Sequence, residues 1–473
     1  MIFSSTVFVF LFLPIVLAIY YLAKDRYRNV ILLVASFLFY TYGESKLVLL
    51  MIFSIVVNWA AAGLIDSCRD KKKYAMSKVC LIVSIGINLG ILFIFKYLDF
   101  AITVVNAFLG WQLTIFGTPL PIGISFYTFQ AISYVVDVYR ENGKAQKNVL
   151  NVGLYISFFP QLIAGPIVRY QTFVSQLDNR SSSWELFDSG VKRFICGFCK
   201  KVILANNLSL VAEKMFGVSD YSMLPVGYAW IGAIAYSLQI FYDFSGYSDM
   251  AIGLAKMFGF VFPENFNYPY MAKSVTDFWK RWHISLSQWF RDYIYIPLGG
   301  SRVSAGRHIF NMFVVWILTG LWHGANYTFI LWGMIYFVFL VIEKYIVKPD
   351  KRKNIFVRFI WRLITINVII FAWVFFNSQT LHGGVAFCKA MLGLSGNILW
   401  NNEYIFTVRQ NAVYLLMGVL FSTPIVPFLS TKVLNTNENI QSIWNTVIYL
   451  GGFVWAVSFL VLGAHNPFIY FNF

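Results

Sequence analysis

The sequence predicts an all-α, polytopic integral membrane protein. About ten to twelve transmembrane helices are expected, at about 20 residues per span, with re-entrant and amphipathic interfacial pieces between them. Three observations carry this reading. Hydrophobic residues make up 59% of the 473 and charged residues only 12%, too few to coat a soluble domain of this size. The apolar runs recur along the whole length instead of gathering into one anchor. Aromatic residues reach 19%, which suits Trp and Tyr at both membrane interfaces and the lining of a wide internal cavity.

In chain order, clear spans occupy residues 2–23, 29–42, 46–65, 78–98, 228–244, 308–321, 327–346, 357–376, 413–429 and 444–462. The first lacks a basic leader and a small-residue cleavage site, so it reads as a retained span and not as a signal peptide. Between residues 99 and 201 the runs shorten and are broken by Pro121, Gly123, Pro160, Gly165 and Pro166. Such breaks are tolerated at membrane depth only where protein or a cavity shields the backbone, so re-entrant or tilted segments are expected there. Residues 263–307 read as a cytosolic-side amphipathic segment. Within it Trp279, Trp282, Leu286, Trp289 and Tyr293 fall at helical spacing, as in one helix lying in the interface. Residues 464–473 form a C-terminal tail. With no internal repeat and no low-complexity tract, the chain reads as a single domain, 1–473.

The net charge is +16, yet the basic residues sit in short gaps at 24–28, 69–73, 140–147 and 344–358. That is the positive-inside pattern, and it accounts for the charge without a nucleic acid partner, while leaving room for anionic membrane lipid. With the first two gaps in the cytosol, the N-terminus and the C-terminal tail both lie outside. The cysteines Cys68, Cys80, Cys196, Cys199 and Cys388 are scattered. Cys196 and Cys199 make one CxxC among Lys192, Arg193, Lys200 and Lys201, which suggests reduced thiols at the cytosolic edge and no zinc. No metal site is expected.

Chemistry is expected at two of the five histidines. His323, in LTGLWHGAN (318–326), ends an apolar run. At about 1.5 Å per residue it lies about 22 Å along the helix from His308. A titratable group at that depth is costly and by default marks a pathway or a reacting site. Thr319, Trp322, Gly324 and Asn326 are expected to form its pocket, Gly324 leaving room for substrate and Asn326 orienting the ring. His283, in DFWKRWHISLS (277–287), lies nearer the water. Around it Lys280, Arg281, Arg291 and Arg302 would face the cytosolic mouth, where basic side chains suit the phosphates of a donor such as coenzyme A. Ordinary snorkelling accounts for them equally well. Asp243 and Asp249, closing the span at 228–244, either line the same cavity or tie helices together.

Taken together, PIGISFYTFQ (121–130), FPQLIAGPI (159–167), YDFSGYSD (242–249), DFWKRWHISL (277–286), YIPLGGSR (295–302) and LWHG (321–324) resemble the membrane-bound O-acyltransferases. The resemblance covers nearly the whole chain. It is strongest to the bacterial branch that includes the alginate and peptidoglycan O-acetylation membrane subunits and the teichoic acid D-alanylation enzyme. It implies helices around a central tunnel in the cell membrane. It also implies a cytosolic acyl thioester such as acetyl-CoA as donor substrate, no cofactor, and an acceptor hydroxyl arriving from the other side. The expected outcome is O-acylation, most simply O-acetylation, of a surface or secreted polysaccharide, with an extracellular or periplasmic transferase as partner. The family's deep catalytic histidine falls on His323 and its second on His283.

A hydroxyl is a weak nucleophile until a base removes its proton, and an imidazole titrating near neutrality suits that task. His323 is therefore the expected base, and His283 is expected to polarise the thioester carbonyl or hold the donor. The tail PFIYFNF (467–473) is similar to that of the small partner protein of the teichoic acid pathway. Tyr470, flanked by Phe468, Phe471 and Phe473, is the expected acyl relay, because phenoxide, with a pKa of about 10, leaves more readily than an alkoxide. The plainer alternative is an interfacial anchor. Within the family, transfer of a D-alanyl group or transfer to a lipid or protein is the alternative activity. Outside it, a transporter or flippase would show paired repeats, and the sequence has breaks but no repeat.

Overall fold

The computed structural model describes residues 1–177, 180, 182–349, 352, 354–428, 438–463, 465–467 and 469. Among these the regular structure is helical, with no strand. Each apolar run named above coincides with helix over most of its described residues. The first half of the chain carries α1 (Phe8–Leu22), α2 (Asp25–Thr41), α3 (Val48–Asp70), α4 (Tyr74–Leu109), α5 (Ile124–Tyr139), α6 (Val149–Ser157) and α7 (Trp184–Phe216). The second half carries α8 (Val226–Met257), the short α9 (Val275–Trp279) and α10 (Ile284–Phe290), then α11 (Ala305–His323), α12 (Tyr327–Val347) and α13 (Ile355–Asn377). It continues with α14 (Leu381–Met391), α15 (Ala412–Phe421) and α16 (Glu438–Val461). Among the described residues five helices, α3, α4, α7, α12 and α13, are long and apolar enough to cross a membrane. Shorter apolar helices at Phe8–Leu22, Ala412–Phe421 and Thr446–Val461 accompany them. The protein is a multi-pass membrane protein.

Two compact units divide the chain, Met1–Phe194 with Ser248–Pro263, and Ile195–Tyr247 with Glu264–Phe473. In the first unit, α3 and α4 are joined by a buried amide pair. Asn58 Nδ2 donates to Asn88 Oδ1 at 3.1 Å and Asn88 Nδ2 returns the bond to Asn58 Oδ1 at 2.8 Å. Polar side chains that satisfy each other across helices suit a membrane interior, where apolar surface alone gives little drive to associate.

The Pro- and Gly-broken region is more helical than its sequence suggests, and it is enclosed. Gly123 begins α5 with φ +74°, and a Cβ there would meet the Leu162 carbonyl oxygen at 2.5 Å. From Ile124 to Val138 every side chain of α5 is buried. Protein on all faces is the condition under which a broken segment persists at membrane depth. Arg69 closes its end, Nη1 donating to the Val138 and Tyr139 carbonyls at 3.0 and 2.7 Å, where helix carbonyls lack partners.

The acids of YDFSGYSD lie inside α8, not at its end, since that helix runs on to Met257. Each has a basic partner. Asp249 pairs with Arg193 at 2.6 Å in the first unit, and Asp243 with Lys201 at 2.7 Å in the second. Of the two readings, tying helices together is the one the structure favours.

Candidate active site

The second unit holds both histidines. His323 is the last residue of α11, and the turn that follows reverses the chain into α12. The two helices cross closely because their contact carries glycines. A Cβ on Gly320 would meet the Phe329 carbonyl oxygen at 2.5 Å, and one on Gly333 the Trp316 carbonyl oxygen at 2.5 Å. This crossing brings Trp332 of α12 against His323, with ring centroids 4.9 Å apart. Phe376 of α13 closes another side at 5.2 Å and Trp322 a third at 5.0 Å. The imidazole is buried, with 2% exposure.

The expected polar pocket is thus an aromatic one, and its small residues do other work. Gly324 does not leave space for a substrate, because Phe329 fills it: a Cβ there would sit 2.3 Å from Phe329 Cε2. Asn326 does not orient the ring. Its Oδ1 accepts from Thr328 N at 3.1 Å to cap α12, and its Nδ2 donates to the Gln379 carbonyl at 2.9 Å, which uses both ends of the amide. Thr319 Oγ1 donates back to Val315 O at 2.7 Å within its own helix.

His283 lies in a break, not on a continuous interfacial helix. The segment with helical spacing divides into α9, α10 and a π-helical turn at Arg291–Tyr295. Between α9 and α10 His283 takes a left-handed conformation, φ 44° and ψ 55°. That is uncommon for a residue with a Cβ and persists only where surrounding contacts impose it. Asn265 imposes it here. Its carbonyl accepts Ile284 N at 3.0 Å, while its side-chain Oδ1 accepts Ser285 N at 3.2 Å and Ser285 Oγ at 2.9 Å and faces His283 Nδ1 at 3.2 Å.

This constellation fixes the tautomer. A backbone N–H can only donate, so the Asn265 atom it meets is the oxygen, and His283 Nδ1 must supply the hydrogen. In the neutral ring Nε2 is then the acceptor. Burial pushes the pKa of His283 down from 6.5 to about 3, so the ring is neutral at physiological pH. A neutral ring with its lone pair on Nε2 accepts a hydrogen bond from a hydroxyl or an amide N–H. Of its two expected roles, holding the donor is the one this tautomer suits.

The α9 start is held by a residue that sequence reasoning missed. Buried Glu343 of α12 accepts from Val275 N at 2.7 Å, Thr276 N at 2.8 Å, Thr276 Oγ1 at 2.6 Å and Trp361 Nε1 at 2.8 Å. A carboxylate on the open N–H groups of a helix start is favourable, and here it locks α9 to α12 and α13. Trp282, packed against Trp373 at 4.8 Å and Phe266 at 5.1 Å, fills the space beneath the His283 turn. The outcome is one aromatic site, with His283 at 6.0 Å from Trp322 and His323 at 5.0 Å from the same ring.

The basic residues fall into two groups. Arg281 belongs to the turn, with Nε on Asp277 Oδ1 at 2.9 Å and Nη1 on the Asn267 carbonyl at 3.3 Å. Lys280, Arg291 and Arg302 are exposed, and Arg291 pairs with its chain neighbour Asp292 at 2.8 Å.

The tail returns onto the second unit. Asn206 Nδ2 donates to Asn466 Oδ1 at 3.2 Å, Lys201 Nζ donates to the Pro467 carbonyl, and Ile469 N donates to Asp243 Oδ2 at 2.9 Å. The buried Lys201–Asp243 pair therefore seats the backbone on either side of Phe468. Tyr470 and the residues after it lie outside the described residues.

The family model described as membrane-bound O-acyltransferase matches residues 145–382, a stretch that holds both histidines. The chain is 42% identical to a probable alginate O-acetylase of Pseudomonas putida, over 83% of this chain and 80% of the relative. It is 31% identical to the peptidoglycan O-acetyltransferase of Helicobacter pylori, over 100% of this chain and 98% of the relative. It is also 27% identical to the teichoic acid D-alanyltransferase of Bacillus subtilis, over 55% and 69%. The helical membrane architecture, the matched stretch and these relatives together establish that the chain belongs to the membrane-bound O-acyltransferase family.

Proposed function

We propose that this O-acyltransferase takes an acetyl group from a cytosolic thioester, acetyl-CoA, and delivers it for O-acetylation of a cell-envelope polysaccharide. The observation that carries the reading is the pair of buried imidazoles flanking Trp322 in a chain of this family. The named activities of two relatives above 30% identity, one acting on alginate and one on peptidoglycan, support acetyl as the group and a glycan as the target. Transfer of D-alanine is the second reading, supported by the more distant relative.

His323 acts as general base. The attacking hydroxyl loses its proton to the imidazole as its oxygen bonds to the thioester carbonyl carbon, and the proton then goes to the departing thiolate. His283, accepting at Nε2, holds an N–H or O–H of the donor or acceptor. Exposed Lys280, Arg291 and Arg302 hold donor phosphates, and Arg281 contributes mainly by shaping the turn. Tyr470 relays the acyl group to a transferase outside the cytoplasmic membrane. In support, Ile469, its neighbour, is anchored on buried Asp243.

The test is made in cells lacking the chromosomal copy and complemented in turn with wild type, His323→Ala and Tyr470→Phe. Base-labile acetate on the envelope polysaccharide is measured with the protein quantified in the membrane. Both variants should abolish the ester. Full acetylation by His323→Ala would overturn the base assignment, full acetylation by Tyr470→Phe would reduce the tail to an anchor, and base-labile D-alanine in place of acetate would establish the second reading.

A further inference from the structure

Trp332 is the aromatic residue of α12 that touches His323, and its indole is fully buried, with 0% exposure. Its Nε1–H finds no hydrogen-bond acceptor among the described residues. An unmatched buried donor is destabilising, a cost that a phenylalanine filling the same space would not carry. Such a group in a native interior calls for an explanation, and one is a charge that exists only during reaction.

The indole is also closely packed. Trp279, Trp316, Tyr336, Trp373 and Phe376 pack on it with ring centroids between 5.2 and 6.4 Å away. A rigid N–H in an apolar, water-poor setting is the kind of donor that stabilises developing negative charge most, because it needs no reorganisation when the charge appears.

We propose that Trp332 is a catalytic residue, its Nε1–H donating to the oxyanion formed when the acyl thioester is attacked beside His323. The inference rests on the acyl-transfer reading above. As the acceptor oxygen bonds to the carbonyl carbon, the carbonyl π pair moves onto its oxygen and the hydroxyl proton moves to His323. Trp332 donates a hydrogen bond to that oxygen and keeps its own proton. On collapse the C=O bond re-forms, the C–S bond breaks, and the thiolate leaves with the proton from the imidazolium. His323 manages the proton and Trp332 the charge, so the two neighbouring rings divide the work of one step.

The experiment measures steady-state kinetics of acetyl transfer from acetyl-CoA by the purified full-length protein in liposomes. Trp332→Phe removes the donor and part of the ring. Replacement of Trp332 by 3-benzothienylalanine, which exchanges only the N–H for sulfur, removes the donor and preserves the packing. Both should lower kcat by about 10²–10³-fold with KM nearly unchanged. Wild-type kcat in the benzothienyl variant overturns the proposal. A loss of kcat in Trp332→Phe alone also overturns it, since that would be a packing effect. If His323→Ala remains inactive while the benzothienyl variant is wild type, only this inference fails. If both turn over normally, the acyl-transfer site itself has been misassigned.

Discussion

His283 and His323 are both buried imidazoles, but their surroundings differ. His283 has its Nδ1 on Asn265 Oδ1, whereas His323 packs among the rings of Trp322, Trp332 and Phe376. Asn265 is a positioning residue, and Asn265→Ala should release both the left-handed turn and the Nδ1–H tautomer. In protein labelled with nitrogen-15 at histidine, the His283 signals, assigned with His283→Gln, should pass from a single Nδ1–H pattern to a tautomer mixture as kcat falls. An unchanged imidazole pattern would refute the clamp. Both histidines stand out in the sequence because a titratable side chain is rare in so apolar a chain. Asn265 does not, since its contact closes only when the turn folds back over 18 residues. Gly324 and Asn326 mislead for a related reason. Small and polar neighbours look like a substrate pocket until the fold puts Phe329 into the space and spends the amide on a helix cap.

At the scale of elements, the aromatic spacing of residues 275–295 shows that the segment is helical but not where it breaks. The interruption at His283 involves neither proline nor glycine, so no local signal marks it; it is imposed by Asn265 from one side and by Glu343 from the other. Glu343 reads in sequence as one more charge beside a basic cytosolic gap, and its burial becomes visible only when α9 and α13 pack against α12. Glu343→Ala should strand the two N–H groups of α9 and the Trp361 indole, lowering stability by about 3 kcal/mol. Glu343→Gln, which keeps one acceptor oxygen, should lose less. Thermal unfolding of the detergent-solubilised variants measures the order, and equal midpoints for wild type and Glu343→Ala would contradict it. Activity should fall with the same ranking, because α9 leads directly into the His283 turn.

Over the whole molecule, the membrane architecture was the most legible feature, since hydropathy is a property of each run taken alone and each run named from it is helical over most of its described residues. The division into two compact units was not legible. It cuts through α7 and α8, where no change of composition marks it. The histidine pair depends on contacts between separate elements, His283 and His323 meeting at Trp322, and the sequence indicates both residues without indicating that they share a ring. In the proposed reaction this shared site moves an acyl group from a thioester with His323 as base. Its most direct test is the purified protein in liposomes supplied with acetyl-labelled acetyl-CoA, following thiol release together with label appearing as an oxygen ester. Wild type should release one thiol for each acetyl group transferred. His323→Ala, inserted and folded as wild type, should lose about 10²–10⁴-fold in both. Transfer at the wild-type rate by that variant would rule out His323 as the base.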